Sequence, residues 1–165
     1  MCASRSPGRA RCGAGVEGSQ VQLGEEPVAR YEAWTRPRCR EVELSGCAQA
    51  WFVPTVRALA ADLAGRADFD LDAISDVRMA VDEACVTLIR HSAPDSQLRC
   101  CFLLDEQWMQ VWVQVRPRDP GARVDTAGFG WRILQCLVDE VSAKLPGDDE
   151  EHLGIHLVKR QPART

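Results

Sequence analysis

A line of side chains along one predicted helix carries the first candidate chemistry of this sequence. Its members recur every three or four residues and so share one helix face: Asp76, Met79, Glu83, Thr87 and Arg90. Glu83 lies between Val81 and Cys85, next to the apolar stripe of the same helix, where a carboxylate is costly without a partner or a function. It could orient a water molecule or accept a hydroxyl proton. On periodicity alone, a salt bridge with Arg90 or a solvated helix face explains the pattern better.

The tripeptide Gly128-Phe129-Gly130 is a second candidate, because it stands where another helix is predicted to begin. Glycines allow backbone N–H groups to approach a phosphate closely, and a helix N-terminus favours an anion. A tight turn from a loop into a helix explains the two glycines at least as well. The motif alone leaves a phosphate site and a simple turn equally open.

The tripeptide Asp119-Pro120-Gly121 is a third candidate. A carboxylate followed by a glycine turn could bind an amino group, such as the one that adenine carries. A type I or type II turn between two elements explains the same residues equally well.

Five strands and three helices are predicted to position these residues. Polar–apolar alternation and β-rich runs predict strands over residues 41–45, 98–104, 109–115, 141–145 and 153–159. Apolar residues at spacings of three and four predict helices over 48–64, from Asp70 or Asp72 to about His91, and from Gly128 onward. The order β-α-α-β-β-loop-α-β-β predicts a two-layer α/β sandwich, with a mostly antiparallel sheet and the helices on one face.

A single domain is expected, since 165 residues can bury one core and little more. Residues 1–37 lack apolar periodicity and are rich in Gly, Ser, Arg and Pro, so we expect a disordered N-terminal extension or an over-extended gene start. The domain is predicted to span residues 38–160, and residues 161–165 are predicted to form a flexible tail.

The net charge of −4 is unevenly distributed. Residues 1–40 carry seven arginines and four acidic residues, or +3, which leaves −7 for the remainder. An acidic domain is a poor candidate for direct nucleic-acid binding, because the phosphate backbone requires a basic face, and it better suits a basic protein partner. No stretch approaches the roughly 20 apolar residues of a membrane helix, and Arg5 and Arg9 precede no apolar segment of a secretion signal. We therefore expect a cytoplasmic protein without membrane contact.

Eight cysteines raise the question of a metal site or a disulfide framework. They form no Cys-x-x-Cys pair, and none has metal-ligand spacing to a histidine. Cys85 and Cys136 fall within apolar helical patterns, and the neighbours Cys100 and Cys101 on a strand must face opposite sides. We predict reduced thiols that are buried as small hydrophobic residues, and no metal site.

The order and spacing of the three motifs resemble those of the anti-sigma factor/serine-protein kinases of the GHKL ATPase superfamily. The matching features are Val81-Asp-Glu-Ala-Cys-Val-Thr-Leu-Ile-Arg-His91, a hairpin, Asp-x-Gly, Gly-x-Gly at a helix start, and Val138-Asp-Glu-Val141. Residues 80–92 look like the N-box of that family, and residues 128–142 look like its second glycine motif and the helix that follows. The likeness covers about residues 40–160 and is greatest to the actinobacterial anti-sigma-F branch. It implies a Bergerat-type fold.

The resemblance implies a role for each matching residue. Glu83 stands where the family has a glutamate that helps to activate the attacking hydroxyl of a substrate serine. Thr87 stands where the family has an asparagine that binds the magnesium ion of Mg-ATP. The adenine-binding motif corresponds to Asp119 and Gly121, and the second glycine motif to Gly128 and Gly130.

Three departures from the family pattern fall on the nucleotide site. Thr87 replaces the magnesium-binding asparagine, and its hydroxyl is a shorter ligand without a carboxamide oxygen. Arg123 replaces the second glycine of Asp-x-Gly-x-Gly, and Pro117-Arg118 form a small insertion before that motif. Only residues 124–127 remain where the family has a long lid over the phosphates. Because phosphoryl transfer depends mostly on positioning and charge neutralisation, we expect weak or absent binding of ATP and Mg²⁺ and no efficient kinase activity.

The resemblance and these departures together predict an anti-sigma factor that sequesters an alternative sigma factor by protein–protein binding and so represses transcription. The acidic charge and the apolar hairpin suit such a contact. An anti-anti-sigma factor as antagonist, and a homodimer formed through the sheet or the first helix, are further implied by the resemblance. The alternative is an active serine-protein kinase that phosphorylates the anti-anti-sigma factor, with Glu83 as its catalytic residue. A regulatory module of another bacterial signalling system is a third interpretation, because a fold does not determine a function.

Overall fold

A five-stranded sheet forms one layer of the computed structural model, which describes residues 40–143 and 152–161. The strands are β1 Arg40–Cys47, β2 Gln97–Leu104, β3 Trp108–Val115, β4 Glu140–Ser142 and β5 Leu153–Arg160. They lie in the order β1-β2-β3-β5-β4, and each neighbouring pair is antiparallel. The predicted disordered extension at 1–37 lies outside the described residues, as do residues 162–165 of the predicted tail 161–165. Gln161, the first residue of that tail, is held by two other segments: its N–H donates to the carbonyl oxygen of Gln107 at 2.8 Å, and its Nε2 donates to the carbonyl oxygen of Ala67 at 2.6 Å.

Helices cover one face of this sheet. They are α1 Val53–Arg66, α2 Leu71–His91 and α3 Phe129–Leu137, and a 3-10 turn at Ala50–Phe52 precedes α1. Alternate side chains of β3 point towards the helices and are at most 3% exposed: Met109, Val111, Val113 and Val115. The predicted α/β sandwich with an antiparallel sheet is therefore confirmed. No helix within the described ranges is both long enough and apolar enough to cross a membrane.

The opposite face of the β2–β3 hairpin is not an open apolar surface. Its Leu103 is 2% exposed, and Trp108 and Trp112 are half-buried. Trp112 stacks on His156 of β5, with the ring centroids 4.2 Å apart. Among the described residues, the exposed large apolar side chains are those of Trp51, Leu71, Met79 and Phe129. The apolar hairpin is thus a poorer partner surface than its sequence indicates.

α1 begins later than the periodicity predicts. The N–H of Ala48 donates to the carbonyl oxygen of Ser96 at 3.0 Å and Gln49 is extended, so the chain becomes helical only after them. Pro54 lies in the first turn of α1, where its missing N–H removes no helical hydrogen bond. α1 then packs along α2.

α2 is the helix that carries the polar line. Asp70 caps its N-terminus as predicted, because Asp70 Oδ1 accepts a hydrogen bond from the N–H of Ala73 at 2.7 Å. Its C-terminus is at His91 as predicted, since Ser92 is already extended. One side of the helix is buried in the core, whereas Met79 on the polar line is 49% exposed.

The cysteines divide into buried and exposed thiols. Cys85 and Cys100 have no exposed surface, as predicted. The prediction that Cys136 is buried is wrong: α3 buries Leu134, and a residue two positions later points to the other side of a helix. Cys47 is also exposed.

Candidate functional site

α3 lies antiparallel beside α2, and contacts near its two ends set its position. At its start, Gly130 lies against Glu83. At its end, the carbonyl oxygen of Leu137 accepts a hydrogen bond from Lys159 Nζ at 2.8 Å, and the same amine lies 2.7 Å from Asp76 Oδ2. Seven residues separate Asp76 from Glu83 and seven separate Gly130 from Leu137, so each helix rises about 10.5 Å between the two contacts.

Glu83 is half-buried, and its carboxylate lies at the first turn of α3. A side chain at Gly130 would require Glu83 to move, because a Cβ there would clash with Glu83 Oε1 and lie 3.1 Å from Glu83 Cδ. Thr87 Oγ1 donates a long hydrogen bond of 3.4 Å to the same Oε1. Among the described residues Arg90 forms no ion pair with Glu83, so the salt-bridge interpretation does not hold. Three of the predicted site residues, Glu83, Thr87 and Gly130, therefore come together.

Gly128 also has a carboxylate beside it, that of Asp125. Asp125 Oδ1 accepts a hydrogen bond from the N–H of Ala127 at 3.0 Å, which forms a tight turn ahead of α3. A Cβ on Gly128 would lie 2.6 Å from Asp125 Oδ2. Each glycine of the predicted phosphate motif thus has a carboxylate against it; that of Glu83 corresponds to the family's glutamate, whereas that of Asp125 is an additional negative charge that would repel an approaching phosphate. Asp125 was not predicted as a site residue, although an Asp three residues before the N-cap of a helix is a recognisable turn signal.

The predicted adenine motif forms an exposed turn beside the C-terminus of α2. The N–H of Arg118 donates to the carbonyl oxygen of His91 at 2.8 Å, and the N–H of Ala122 donates to the carbonyl oxygen of Asp119 at 3.0 Å. The side chain of Asp119 is exposed, and a Cβ on Gly121 would meet no heavy atom within 4 Å. These observations favour the turn interpretation over an enclosed pocket for a base.

This region departs from an Mg-ATP site of the family pattern at three places. The Thr87 hydroxyl, at the position that the resemblance assigns to magnesium binding, is directed to Glu83 Oε1. At the predicted adenine-binding end of the site, the side chain of Asp119 is exposed. At the phosphate end, two carboxylates face the glycines. These contacts differ from the electropositive helix start at which phosphates usually bind.

Lys159 holds the C-terminal end of α3 in place, and it was not predicted as a site residue. It occupies an inward position of β5, two residues after the buried Leu157, where a hydrophobic residue is expected. Its side chain is 17% exposed and that of its partner Asp76 is 32% exposed. A lysine at an inward position of an alternating strand is the available signal, because a buried ammonium requires a partner.

Two large apolar side chains flank the Glu83–Gly130 contact and are open to solvent. Phe129, the neighbour of Gly130, is 80% exposed. Met79, one helical turn before Glu83 on α2, is 49% exposed. Large apolar side chains that are this open to solvent beside a site are candidates for contact with a partner protein.

Comparisons with known proteins agree with this fold. A family model described as the histidine kinase-like ATPase domain matches residues 48–160. The anti-sigma-F factor RsbW of Mycobacterium tuberculosis is 33% identical over 131 residues, an alignment that covers 76% of this chain and 77% of that protein. The serine-protein kinase RsbW of Bacillus cereus is 25% identical over 123 residues, with 73% of this chain and 72% of that protein covered. The serine-protein kinase RsbW of Bacillus thuringiensis matches with the same identity and coverage.

Proposed function

This chain belongs to the histidine kinase-like ATPase domain family, and we propose that it acts there as an anti-sigma factor, which sequesters an alternative sigma factor by protein–protein binding and so represses transcription. The likeness to the mycobacterial anti-sigma-F factor supports the proposal. So does the acidic charge of −7 on residues 41–165, which suits a basic protein partner. An anti-anti-sigma factor that releases the sigma factor, a second copy of the chain, and a cytoplasmic location belong to the same proposal.

The observation that carries the proposal is the pair of carboxylates against the two glycines. Glu83 lies against Gly130, and Asp125 lies against Gly128. Catalysis of phosphoryl transfer requires positive charge or metal at the phosphates, whereas Asp125 adds a negative charge beside this helix start to that of the family's glutamate. ATP and Mg²⁺ are therefore expected to bind weakly or not at all, and the domain is expected to work by binding its partner.

The exposed side chains beside the site supply the proposed contact surface. Phe129 and Met79 together present apolar area next to the carboxylate of Glu83. Large side chains at the centre of an interface commonly carry most of its binding energy. Phe129 is accordingly the residue whose loss should weaken the complex most.

The test is a pull-down of sigma factors by the full chain in the absence of nucleotide. We expect retention of one sigma factor, and Phe129→Ser should weaken that complex by about tenfold or more. Leu71→Ser is the matched control, because Leu71 is 84% exposed at the start of α2 and takes no part in the site. A folded chain that retains no sigma factor would refute the proposal.

Calorimetric titration with Mg-ATP tests the nucleotide part separately. We expect no saturable binding below about 1 mM, whereas a functional kinase would bind in the micromolar range. The double variant Glu83→Gln/Asp125→Asn should bind Mg-ATP more tightly than the unchanged chain, because it removes both negative charges. Tight binding by the unchanged chain would contradict the argument from the carboxylates.

A second candidate function is that of a serine-protein kinase. The Bacillus relatives carry that name, and Glu83, the residue that corresponds to the family's activating glutamate, is present at the site. This function predicts phosphate transfer from ATP to a serine of an anti-anti-sigma factor, and loss of that transfer in Glu83→Gln with the binding of the partner retained. Absence of transfer by the unchanged chain eliminates it.

A further inference from the structure

α3 has no charged residues of its own that complement its ends. It has nine residues, no acidic residue in the first turn, no basic residue in the last turn, and an N-cap, Gly128, without a capping side chain. α2 by contrast has Asp72 in its first turn and Arg90 and His91 in its last turn. Because a helix carries partial positive charge at its start and partial negative charge at its end, such residues stabilise it. A nine-residue helix without them depends on its surroundings.

The loop before α3 places the carboxylate of Asp125 beside the N-cap Gly128, and two other elements add one charge at each end of the helix. The carboxylate of Glu83, on α2, lies against Gly130 in the first turn of α3. The ammonium group of Lys159, on β5, donates to the terminal carbonyl oxygen of Leu137 at 2.8 Å. An anion therefore stands at the positive end of α3 and a cation at its negative end, the arrangement that a helix dipole favours.

The ammonium group of Lys159 is largely withdrawn from water and has partners on two other elements. Its side chain is 17% exposed and borders a small apolar cavity lined by Val77, Val138 and Leu157, among others. Withdrawal of an ammonium group from water is costly unless it has a partner. Asp76 Oδ2 at 2.7 Å and the carbonyl oxygen of Leu137 are the partners that offset this cost.

We propose that Glu83 and Lys159 dock α3 onto the domain as counter-charges at its two ends, and that Glu83 serves this positioning role and not proton transfer. Asp125 cannot replace Glu83 in this role, because it belongs to the loop that leads directly into α3 and does not connect α3 to α2. The proposal goes beyond sigma-factor binding and holds for any partner of the chain.

Neutralisation of Glu83 has opposite consequences in the two roles. A catalytic carboxylate is held in place at a cost to stability, so its replacement by an uncharged residue commonly stabilises the protein. A docking carboxylate contributes to stability, so the same replacement destabilises it. The sign of the change therefore separates the two roles.

The experiment compares the full chain with Glu83→Gln, Lys159→Met and the matched control Glu43→Gln. Glu43 forms an exposed ion pair with Arg99 at 3.2 Å, on the β1–β2 pair and away from α3. We measure the melting temperature, and the ¹⁹F resonance of 5-fluorotryptophan at Trp131, which lies on α3 and is 8% exposed. Trp51 on the 3-10 turn, 64% exposed, is the internal reference.

We expect Glu83→Gln and Lys159→Met each to lower the melting temperature by about 2–4 °C and to shift the Trp131 resonance, with Trp51 and the control unchanged. An equal or higher melting temperature for Glu83→Gln overturns the proposal, and so does an effect of Lys159→Met alone. Lys159→Arg, which keeps the charge, should restore the melting temperature and the Trp131 resonance whether or not Lys159→Met folds, and its failure to restore them would overturn the role assigned to the charge. If the chain retains no sigma factor in the pull-down but the variants show these shifts, the proposed function is refuted and the proposal that Glu83 and Lys159 dock α3 is still supported.

Discussion

The carboxylate of Glu83 fills the space that a side chain on Gly130 would need. This contact joins the N-box-like segment of α2 to the second glycine motif at the start of α3. The two stretches by which the family is recognised are therefore in direct contact, so a substitution in one stretch should alter the packing of the other.

The first prediction concerns this contact. A Gly→Ala substitution within a helix normally stabilises a protein by roughly 0.5–1 kcal/mol, but Gly130→Ala should give no gain, because Glu83 must move to accommodate the new Cβ. The same substitution in a Glu83→Ala background should recover the full gain. Urea unfolding of the two single variants and the double variant measures the coupling. Additive free energies of unfolding would show that the two residues do not interact.

The second prediction concerns the ion pair between Asp76 and Lys159. Asp76→Asn removes one partner of a largely buried ammonium group and should lower the free energy of unfolding by about 1–3 kcal/mol. Asp62→Asn is the matched control, because Asp62 forms an exposed ion pair with Arg66 on α1 at a similar distance of 2.7 Å. The control should change stability by less than about 0.5 kcal/mol. Equal losses of unfolding free energy in the two variants would show that burial does not increase the contribution of an ion pair here.

The third prediction concerns the reactivity of the cysteines. Burial raises the pKa of Cys101 to about 12, and the charge of Glu41 beside it adds to the effect. At about pH 8 its thiolate fraction is then about 10⁻⁴, so iodoacetamide should modify the exposed Cys47 and Cys136 and spare Cys101. Mass spectrometry of the peptides reads out each site. Glu41→Gln should accelerate modification of Cys101, and an unchanged rate would exclude Glu41 as a cause.

The fourth prediction concerns pH. Burial lowers the pKa of His156 below its ordinary value of 6.5, although the charge of Glu140 opposes this shift. The neutral ring stacks on Trp112 and lies 3.2 Å from Gln110 Oε1. Since the native pKa is the lower one, this contribution to stability is present above pH 6.5 and is lost as the pH falls from 6.5 through the native pKa.

His156→Gln isolates that contribution. The variant should lose less stability than the unchanged chain when the urea midpoint at about pH 5.5 is compared with that at about pH 7.5. Equal losses would mean that other groups cause the acid sensitivity.

Much of the fold follows from local signals. The cap at Asp70, the proline at position 54 in the first turn of α1, and the alternation along β3 each mark an element through interactions within a few residues. Such signals do not depend on distant parts of the chain, which is why the order of strands and helices could be predicted.

The site could be predicted only in part, because its geometry depends on distant contacts. Glu83, Thr87 and Gly130 were predicted together through family resemblance. The hydrogen bond from Lys159 to the carbonyl oxygen of Leu137 has no sequence signature within either segment. It forms only because α3 ends next to β5 in the folded chain. Cys136 was misassigned for the same reason: its helix pattern does not reveal which side meets the core.

The position of β5 in the sheet has a consequence for the growing chain. β5 follows the other described strands in sequence but lies between β3 and β4, and it pairs with both. During synthesis, β3 therefore has an unpaired edge and β4 has no partner strand until residues 153–160 have left the ribosome. Lys159 arrives with β5, so α3 also lacks its second anchor until then. Ribosome-bound chains that stop before residue 153 should accordingly remain open to proteases and chaperones, and release of β5 should close the domain in one step.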